Sequence, residues 1–356
     1  MSATQKDIAE KAKVSRSLVG RVLSGDTSIR VSHSKRQHIL NTAREIGYQP
    51  NLIARNLRRG KSNAVIAICQ YNEARQTEDY TGGVLAILAA ILAQVGYELK
   101  VRAFPNVADI MAGIEGIASA SACDAAVLWL GNEQGDLPGT ALEERGLPFV
   151  ILGHHDETHP NWYQVDYNHA LMMHQAAQSL VDLGRTRLAY FGFDTELNYQ
   201  KRLRSGFQVA VPELTGFPVN EQWVYSVGFD HVVAEAVVDG WRRQPRDQQP
   251  TGIVIGAGKD AWLGIELALA RQGRRIGFGP DDLAVAGQRP NGLPLLYGQG
   301  MAYENIDMSL LAGAAASVLK QQISGQGHPQ KLTRLMPPLT SAANLQLPLP
   351  NRTPDI

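Results

Sequence analysis

Cysteine is almost absent. Cys69 and Cys123 are the only two in 356 residues, too few and too far apart for a disulfide framework or a cysteine zinc site. Both read as small buried hydrophobes. Long apolar runs are missing as well: the longest uncharged apolar stretch, Gly82 to Ala93, is twelve residues, well short of the ~20 that a helix needs to cross a bilayer. No membrane span or membrane partner is expected. At the N-terminus Lys6, Asp7, Glu10, Lys11 and Lys13 stand where a signal peptide would carry its apolar core, which predicts a cytoplasmic protein. Net charge is lacking too, because 34 Lys and Arg balance 34 Asp and Glu.

The remaining composition, 44% hydrophobic, can bury a core, and at about 100 to 200 residues per domain it fits two or three domains. The charge balance conceals an asymmetry. Residues 1–62 hold 13 Lys and Arg against 4 Asp and Glu, a net +9, and the rest of the chain is −9. A compact basic end on an acidic body suits a polyanion, although charge alone does not separate DNA, RNA and an anionic membrane.

Within the basic end, Thr4 and Asp7 are spaced as a capping box, and Ile8, Ala9 and Ala12 follow on one helical face. A helix over about Gln5 to Ala12 is predicted. After a break at Lys13 and Val14, Ser15 is a second N-cap, and Leu18, Val19, Val22 and Leu23 repeat at helical spacing. Ser32 caps a third helix whose Ile39, Leu40, Ala43 and Ile46 face inward, and Gly47 stops it. Three short helices with a four-residue turn between the first two describe a helix-turn-helix, whose second helix lies in the major groove. The side chains at its start, Arg16 and Ser17, with Arg21 further along, suit base readout, since arginine pairs bidentately with guanine O6 and N7. Solvated surface charge is the plain alternative.

Residues 50–60 run Pro-Asn-Leu-Ile-Ala-Arg-Asn-Leu-Arg-Arg-Gly. Asn51 can cap about two helical turns, too short to hold alone in water. On DNA, Leu57 fits as an apolar wedge in a minor-groove step, with Arg55, Arg58 and Arg59 on phosphates. An ordinary linker would fit the same composition.

The combination of Lys6-Asp7-Ile8-Ala9, Val14-Ser15, Arg21-Val22-Leu23-Ser24-Gly25, Val31-Ser32, Gly47-Tyr48-Gln49-Pro50-Asn51 and Ala54-Arg55-Asn56-Leu57-Arg58 resembles the lactose-repressor (LacI/GalR) family of bacterial transcription regulators. The resemblance implies a DNA-contact set of Thr4, Ser15, Arg16, Ser17, Arg21, Asn51, Ala54, Arg55, Leu57 and Arg58. Arg16 and Ser17 occupy the main base-reading positions, Arg21 a frequent third, and Leu57 that of the intercalating hinge leucine. The chain departs from the family pattern at Lys13, where a turn Gly or Asn is usual, and at Leu18 and Gly20, where hydroxyl side chains are usual.

Beyond Lys61 apolar strand runs alternate with helical segments, the pattern of parallel α/β units. Residues 65–69, 98–101, 126–130 and 149–152 read as strands, and a second set follows at 187–191, 223–226, 253–255 and 283–286. Two open sheets are implied, with ligand sites outside the carboxyl ends of their strands and a cleft between facing lobes. This body resembles the family's regulatory core, which is related to periplasmic sugar-binding proteins, through Gly96-Tyr97-Glu98-Leu99, Val165-Asp166, Leu183-Gly184-Arg185-Thr186-Arg187, Gly206-Phe207 and Pro280-Asp281-Asp282-Leu283. The whole resemblance runs from residue 3 to about residue 340.

The organisation so implied is a headpiece at 1–49, a hinge at 50–62, a two-lobed core at 63–345 and a tail at 346–356. The N-lobe takes about 63–165 and 290–324, and the C-lobe about 166–289 and 325–345, with chain crossings near Asp166, Gln288 and Gly325. By resemblance Asp260 holds a sugar hydroxyl and Phe229 packs on a ligand ring. The family's ligand arginine falls at Leu203, flanked by Arg202 and Arg204, either of which could substitute. An acidic pair of the family becomes Gln288-Arg289, which points to a more positive cleft and an acidic or phosphorylated carbohydrate, with a neutral sugar as the alternative. Tyr71 completes the candidate ligand residues.

Gly256-Ala257-Gly258-Lys259-Asp260 superficially resembles a phosphate loop, but Asp260 opposes phosphate at the helix start and no Ser or Thr follows the Gly-Lys. His154, His155, Asp156, Glu157 and His159 lack metal-site spacing. No catalytic motif and no cofactor is indicated. The reading is a ligand-controlled homodimeric repressor on a near-palindromic operator, with a sugar- or nucleotide-processing α/β enzyme bearing a DNA-binding domain as the alternative. Deleting residues 1–62 should abolish DNA binding, and binding by the intact chain should weaken steeply with salt. Specific duplex binding by the truncated core in an anisotropy titration would refute the assignment.

Overall fold

In the computed structural model the described residues are 3–48, 62–70, 80–119, 122–130, 136–153, 159–193, 198–228, 230–289, 301–304, 308–327, 330–337 and 339–341. The chain divides into two compact units, Met1–Ser62 and Asn63–Ile356.

The first unit is three helices, α1 (Gln5–Lys11), α2 (Arg16–Leu23) and α3 (His33–Glu45). Each starts where a short hydroxyl side chain accepts a bond from the first turn: Thr4 from the Asp7 amide, Ser15 from Leu18 and Ser32 from Lys35. Asp7 bonds back to Thr4, which closes the capping box. Ile8, Ala9, Ala12, Val19, Val22, Ile39 and Ala43 form the shared core. The turn after α1 places Lys13 at φ +52°, a left-handed conformation that glycine or asparagine adopts with less strain.

The second unit holds two six-stranded sheets. In the first, β1 (Ala64–Gln70), β2 (Glu98–Phe104), β3 (Ala125–Trp129), β4 (Phe149–Leu152), β5 (Tyr163–Tyr167) and β11 (Leu332–Leu335) lie in the order β11-β5-β4-β3-β1-β2, all parallel. In the second, β6 (Leu188–Gly192), β7 (Val224–Ser226), β8 (Gly252–Ile255), β9 (Ala284–Arg289), β10 (Met301–Glu304) and β12 (Leu339–Ser341) lie in the order β12-β10-β9-β8-β6-β7. Only β12 is antiparallel to its neighbour.

Helices cover both faces of each sheet, so central strands such as β1 are buried on both sides. On the first sheet α4 (Tyr80–Gln94) and α11 (Met308–Ile323) pack on Val65 and Ala67. On its other face α5 (Val107–Ser119) and α6 (Asp136–Glu144) pack on Ile66 and Ile68. On the second sheet α7 (His169–Asp182) and α8 (Asn198–Thr215) cover Tyr190, Val254 and Ala286, while α9 (His231–Trp241) and α10 (Lys259–Arg271) cover Phe191 and Ile255. The axes of α7 and α8 approach closely at Gly206, where a Cβ would lie 2.5 Å from the Ala170 carbonyl oxygen.

The sheet assignments move two of the expected crossings. The chain first passes from β5 in one sheet to α7 on the other just after Asp166. The second passage lies between Glu304 and Met308, not near Gln288, because β10 pairs with β9. The third lies between Leu335 and Leu339, not near Gly325, because β11 pairs with β5 and β12 with β10. Residues 301–304 therefore belong to the second lobe and 332–335 to the first.

Lys13→Gly removes a left-handed penalty of about 1–2 kcal/mol and adds about 0.5–1 kcal/mol of glycine backbone entropy. The headpiece should gain up to about 1 kcal/mol, read by calorimetry as a higher melting temperature for its transition. A lower melting temperature would show that the Lys13 turn carries no strain.

Candidate functional site

On α2, Ser17 and Arg21 stand away from the buried Val19 and Val22, Arg16 flanks them in the first turn, and all three are exposed, as is the C-cap Ser24. Arg16 and Ser17 stand in the first turn, next to the Ser15 cap. Thr4 is committed to the capping box: its amide and its hydroxyl both donate to Asp7 Oδ2, at 2.7 and 2.8 Å. Those bonds hold the Asp7 carboxyl below its ordinary value, the Thr4 amide contributing most. Arg21 differs from Arg16 in being held. Its Nε donates to Asp26 Oδ2 at 2.9 Å and its Nη2 to Ser28 Oγ at 3.2 Å.

Asn51, Ala54, Arg55, Leu57 and Arg58 lie outside the described residues, as do Tyr71 and Phe229 and the histidine-rich run 154–158. Arg289 closes β9, and its side chain is likewise outside the description.

At the first chain crossing, the end of β5 delivers Asp166 to the start of α7. The carboxylate accepts from His169 Nε2 at 3.0 Å and from the Tyr167 amide at 2.8 Å, and it meets Arg202 Nη1 of α8 at 3.5 Å. Burial by itself raises the Asp166 carboxyl, but the charge and hydrogen bond of His169, the Tyr167 amide and Arg202 outweigh it and leave the group below its usual range. The sequence patterns did not mark this trio, whose signal was only the close spacing of Asp166 and His169 across a strand end.

The structure separates the two flanking arginines. Arg202 turns to Asp166, whereas Arg204, half-exposed, pairs with Glu221 at 3.7 Å. Leu203 between them is fully buried in the core, so the position of the expected arginine has become a packing position. Asp260 lies in the first turn of α10, whose N-cap is Gly258 without a side-chain bond, so it is not the cap. The Gln288 carbonyl at the end of β9 accepts from the buried Trp262 indole at 2.6 Å. Gln200 of α8 is buried and bridges the second sheet, donating to the Gly256 carbonyl at 3.3 Å.

Among the described residues, the buried polar atoms without a hydrogen-bond partner include His169 Nδ1 at the crossing and Tyr190 Oη and Gln288 Nε2 on strands of the second sheet. Burial pushes the Tyr190 hydroxyl above its usual value. Its tip lies between Gly192 and Gly256, where added Cβ atoms would come within 2.5 Å of its ring and 2.3 Å of its oxygen respectively. Among the described residues no cluster of three potential metal ligands occurs, and no helix is long and apolar enough to cross a membrane.

Because the Asp166 carboxyl is depressed in the folded chain, its contribution to stability is present above the ordinary carboxylate value near ~4 and is lost as pH falls through its lower folded value. Asp166→Asn should cost about 3 kcal/mol at neutral pH by leaving its partners unpaired. That deficit should shrink as urea unfolding is repeated from pH 7 down through pH 4 and below. Parallel stability curves at all pH values would contradict the assignment.

Residues 4–51 match the model for bacterial regulatory proteins of the lacI family, and residues 177–341 match that for the periplasmic binding protein-like domain. The chain is 26% identical over 298 residues to catabolite control protein A of Priestia megaterium, covering 81% of this chain and 82% of that one. It is 25% identical to the HTH-type transcriptional regulator AglR of Rhizobium meliloti, over 100% of this chain and 99% of the relative. Its fold is that of the lac repressor dimer bound to operator and the anti-inducer ONPF, at a TM-score of 0.74 with 17% identity, covering 96% and 98% of the two chains. It likewise matches the CelR–cellobiose complex at a TM-score of 0.63 with 20% identity, over 95% and 98%. The chain thus carries a lacI-family three-helix domain at residues 4–51 and a periplasmic-binding-protein-like domain at residues 177–341, the latter within a two-sheet core, and it is similar along its whole length to an HTH-type transcriptional regulator.

Proposed function

We propose that the protein is a ligand-responsive transcriptional repressor that binds a near-palindromic DNA operator as a homodimer and a carbohydrate-like effector between the lobes of its core. The observation that carries the DNA half is α2: a capped helix of a +9 unit with Val19 and Val22 buried and Arg16, Ser17 and Arg21 exposed. Such a helix fits the major groove and offers guanidinium donors to guanine. Residues 50–62 act in this reading as the hinge, with Leu57 entering a minor-groove step and Asn51, Ala54, Arg55 and Arg58 along the backbone.

The effector half rests on buried polar groups at the Asp166 crossing and on the second sheet. Unmade hydrogen bonds at His169, Tyr190 and Gln288, beside the buried Gln200 amide, are the kind of donor and acceptor set that orients a polyhydroxylated ligand in an apolar cleft. The anionic version of the effector is weakened. Arg202 serves Asp166 and Arg204 serves Glu221, which leaves Arg289 as the guanidinium that would hold an acid. A neutral sugar is the better reading, with Asp260, Tyr71 and Phe229 as further contacts. A bound effector would act by favouring one arrangement of the lobes over another, and so one arrangement of the paired hinges. The matched relatives are regulators, which speaks against the enzyme reading.

Arg16→Ala should cost about 1–3 kcal/mol at a single base-pair position and relax specificity there. Anisotropy against a duplex selected by the wild-type chain, with each base pair varied in turn, measures this. An equal loss on every sequence would make Arg16 a phosphate contact. A thermal-shift screen of neutral sugars and sugar acids tests the core, since a ligand of the folded state raises the melting temperature. A response confined to acids and abolished by Arg289→Gln would restore the anionic effector.

A further inference from the structure

The contacts of Arg21 go further than a list of base-facing residues. Its Nε donates to Asp26 Oδ2 at 2.9 Å and its Nη2 to Ser28 Oγ at 3.2 Å. Ser28 in turn donates to Asp26 Oδ1, through its hydroxyl at 2.6 Å and its amide at 2.8 Å. The three side chains close a ring. The loop that carries the ring is fixed from behind, because Arg36 of α3 donates to the Asp26 carbonyl at 2.9 Å. The Ser28 hydroxyl and then Arg21 draw the Asp26 carboxyl down to about 2, so it is ionised at any working pH.

A guanidinium has five N–H donors in a planar fork. The ring takes the edge that carries Nε and one hydrogen of Nη2, and leaves the end formed by Nη1 and Nη2, which can meet two acceptors side by side. We infer that Asp26 and Ser28 are positioning residues for base reading, holding Arg21 so that its terminal Nη1–Nη2 edge is presented to a guanine in the major groove. The inference rests on the reading of α2 as the recognition helix. A long flexible side chain is thereby ordered before binding, which lowers the entropy lost on contact. The carboxylate also adds a negative charge close to the phosphates, so the device favours discrimination over general affinity.

The test uses the full chain and a duplex that it selects from a randomised palindromic library, with every base pair then varied in turn. Arg21→Ala should lose discrimination at one base pair of each half-site. Asp26→Ala should lose about tenfold at that same base pair and nowhere else, with binding to unrelated duplex unchanged or stronger. Ser28→Ala should show a smaller loss there, Asp26→Asn should restore part of the discrimination, and Arg21→Ala/Asp26→Ala should be no worse than Arg21→Ala alone. Circular dichroism melting confirms that each variant is folded, and Ser28→Ala, which leaves the Arg36 bond in place, keeps the test decisive should Asp26→Ala loosen the loop. If Arg21→Ala discriminates like the wild type, Arg21 does not read bases and the inference falls with that reading. If Arg21→Ala loses discrimination but Asp26→Ala and Ser28→Ala do not, or if they lose affinity equally on all sequences, the inference alone is overturned.

Discussion

A carboxylate buried at a chain crossing sets the terms for the core. Asp166 ends a strand of one sheet and is bonded by His169 and Arg202, which belong to helices packed on the other. An ionised carboxylate in such a place is tolerated only where charge and hydrogen bonds surround it, so the two lobes must come together with α7 and α8 in register for the group to be satisfied. The α7–α8 contact is itself fixed by the close approach at Gly206 and by Leu203 and Phe207 beneath it. Lobe geometry and the charge state of one side chain are therefore two descriptions of the same arrangement, and any ligand that moves the lobes must act against it or through it.

The two ends of the molecule use charge in opposite ways. In the three-helix unit two of the four acids, Asp7 and Asp26, are bound into a helix cap and a loop ring where they organise their neighbours, while Glu10 and Glu45 pair with surface lysines. In the core, Arg202 is drawn onto a buried acid and Arg204 onto a surface one. Arg16 in the first unit is exposed and Arg21 and Arg36 tie down a loop, while Arg202 in the second holds the protein to itself across a chain crossing.

Much of this was legible in the residues. The caps at Thr4, Ser15 and Ser32, the apolar faces of the three helices and the central strands of both sheets follow from spacing and side-chain chemistry, because local hydrogen bonds and continuous β-branched runs specify them directly. The two late crossings were misplaced by the sequence reading, since β10, β11 and β12 are three or four residues each and carry no periodicity of their own; only pairing with distant strands decides their sheet. Between Arg202 and Arg204 no sequence rule chooses, because both flank a core leucine, and the choice is made by where Asp166 and Glu221 lie in space. The ring around Arg21 was hidden for the same reason, although an Asp followed two residues on by Ser is a spacing at which a turn can form.

Tyr190 and the glycines beside it bear on how such a chain can diverge. The phenol tip fills the space that side chains at Gly192 and Gly256 would need, so neither glycine can gain a methyl group while the tyrosine remains. A smaller residue at 190 would instead open a void that invites one at 192 or 256. The three positions therefore drift as one unit: a lineage crosses from one packing to another only through an intermediate with a hole, and the order of substitutions is constrained to shrink before growing. A boundary of that kind, placed at the carboxyl ends of β6 and β8 where binding surfaces of open sheets form, ties the history of ligand preference to the history of packing.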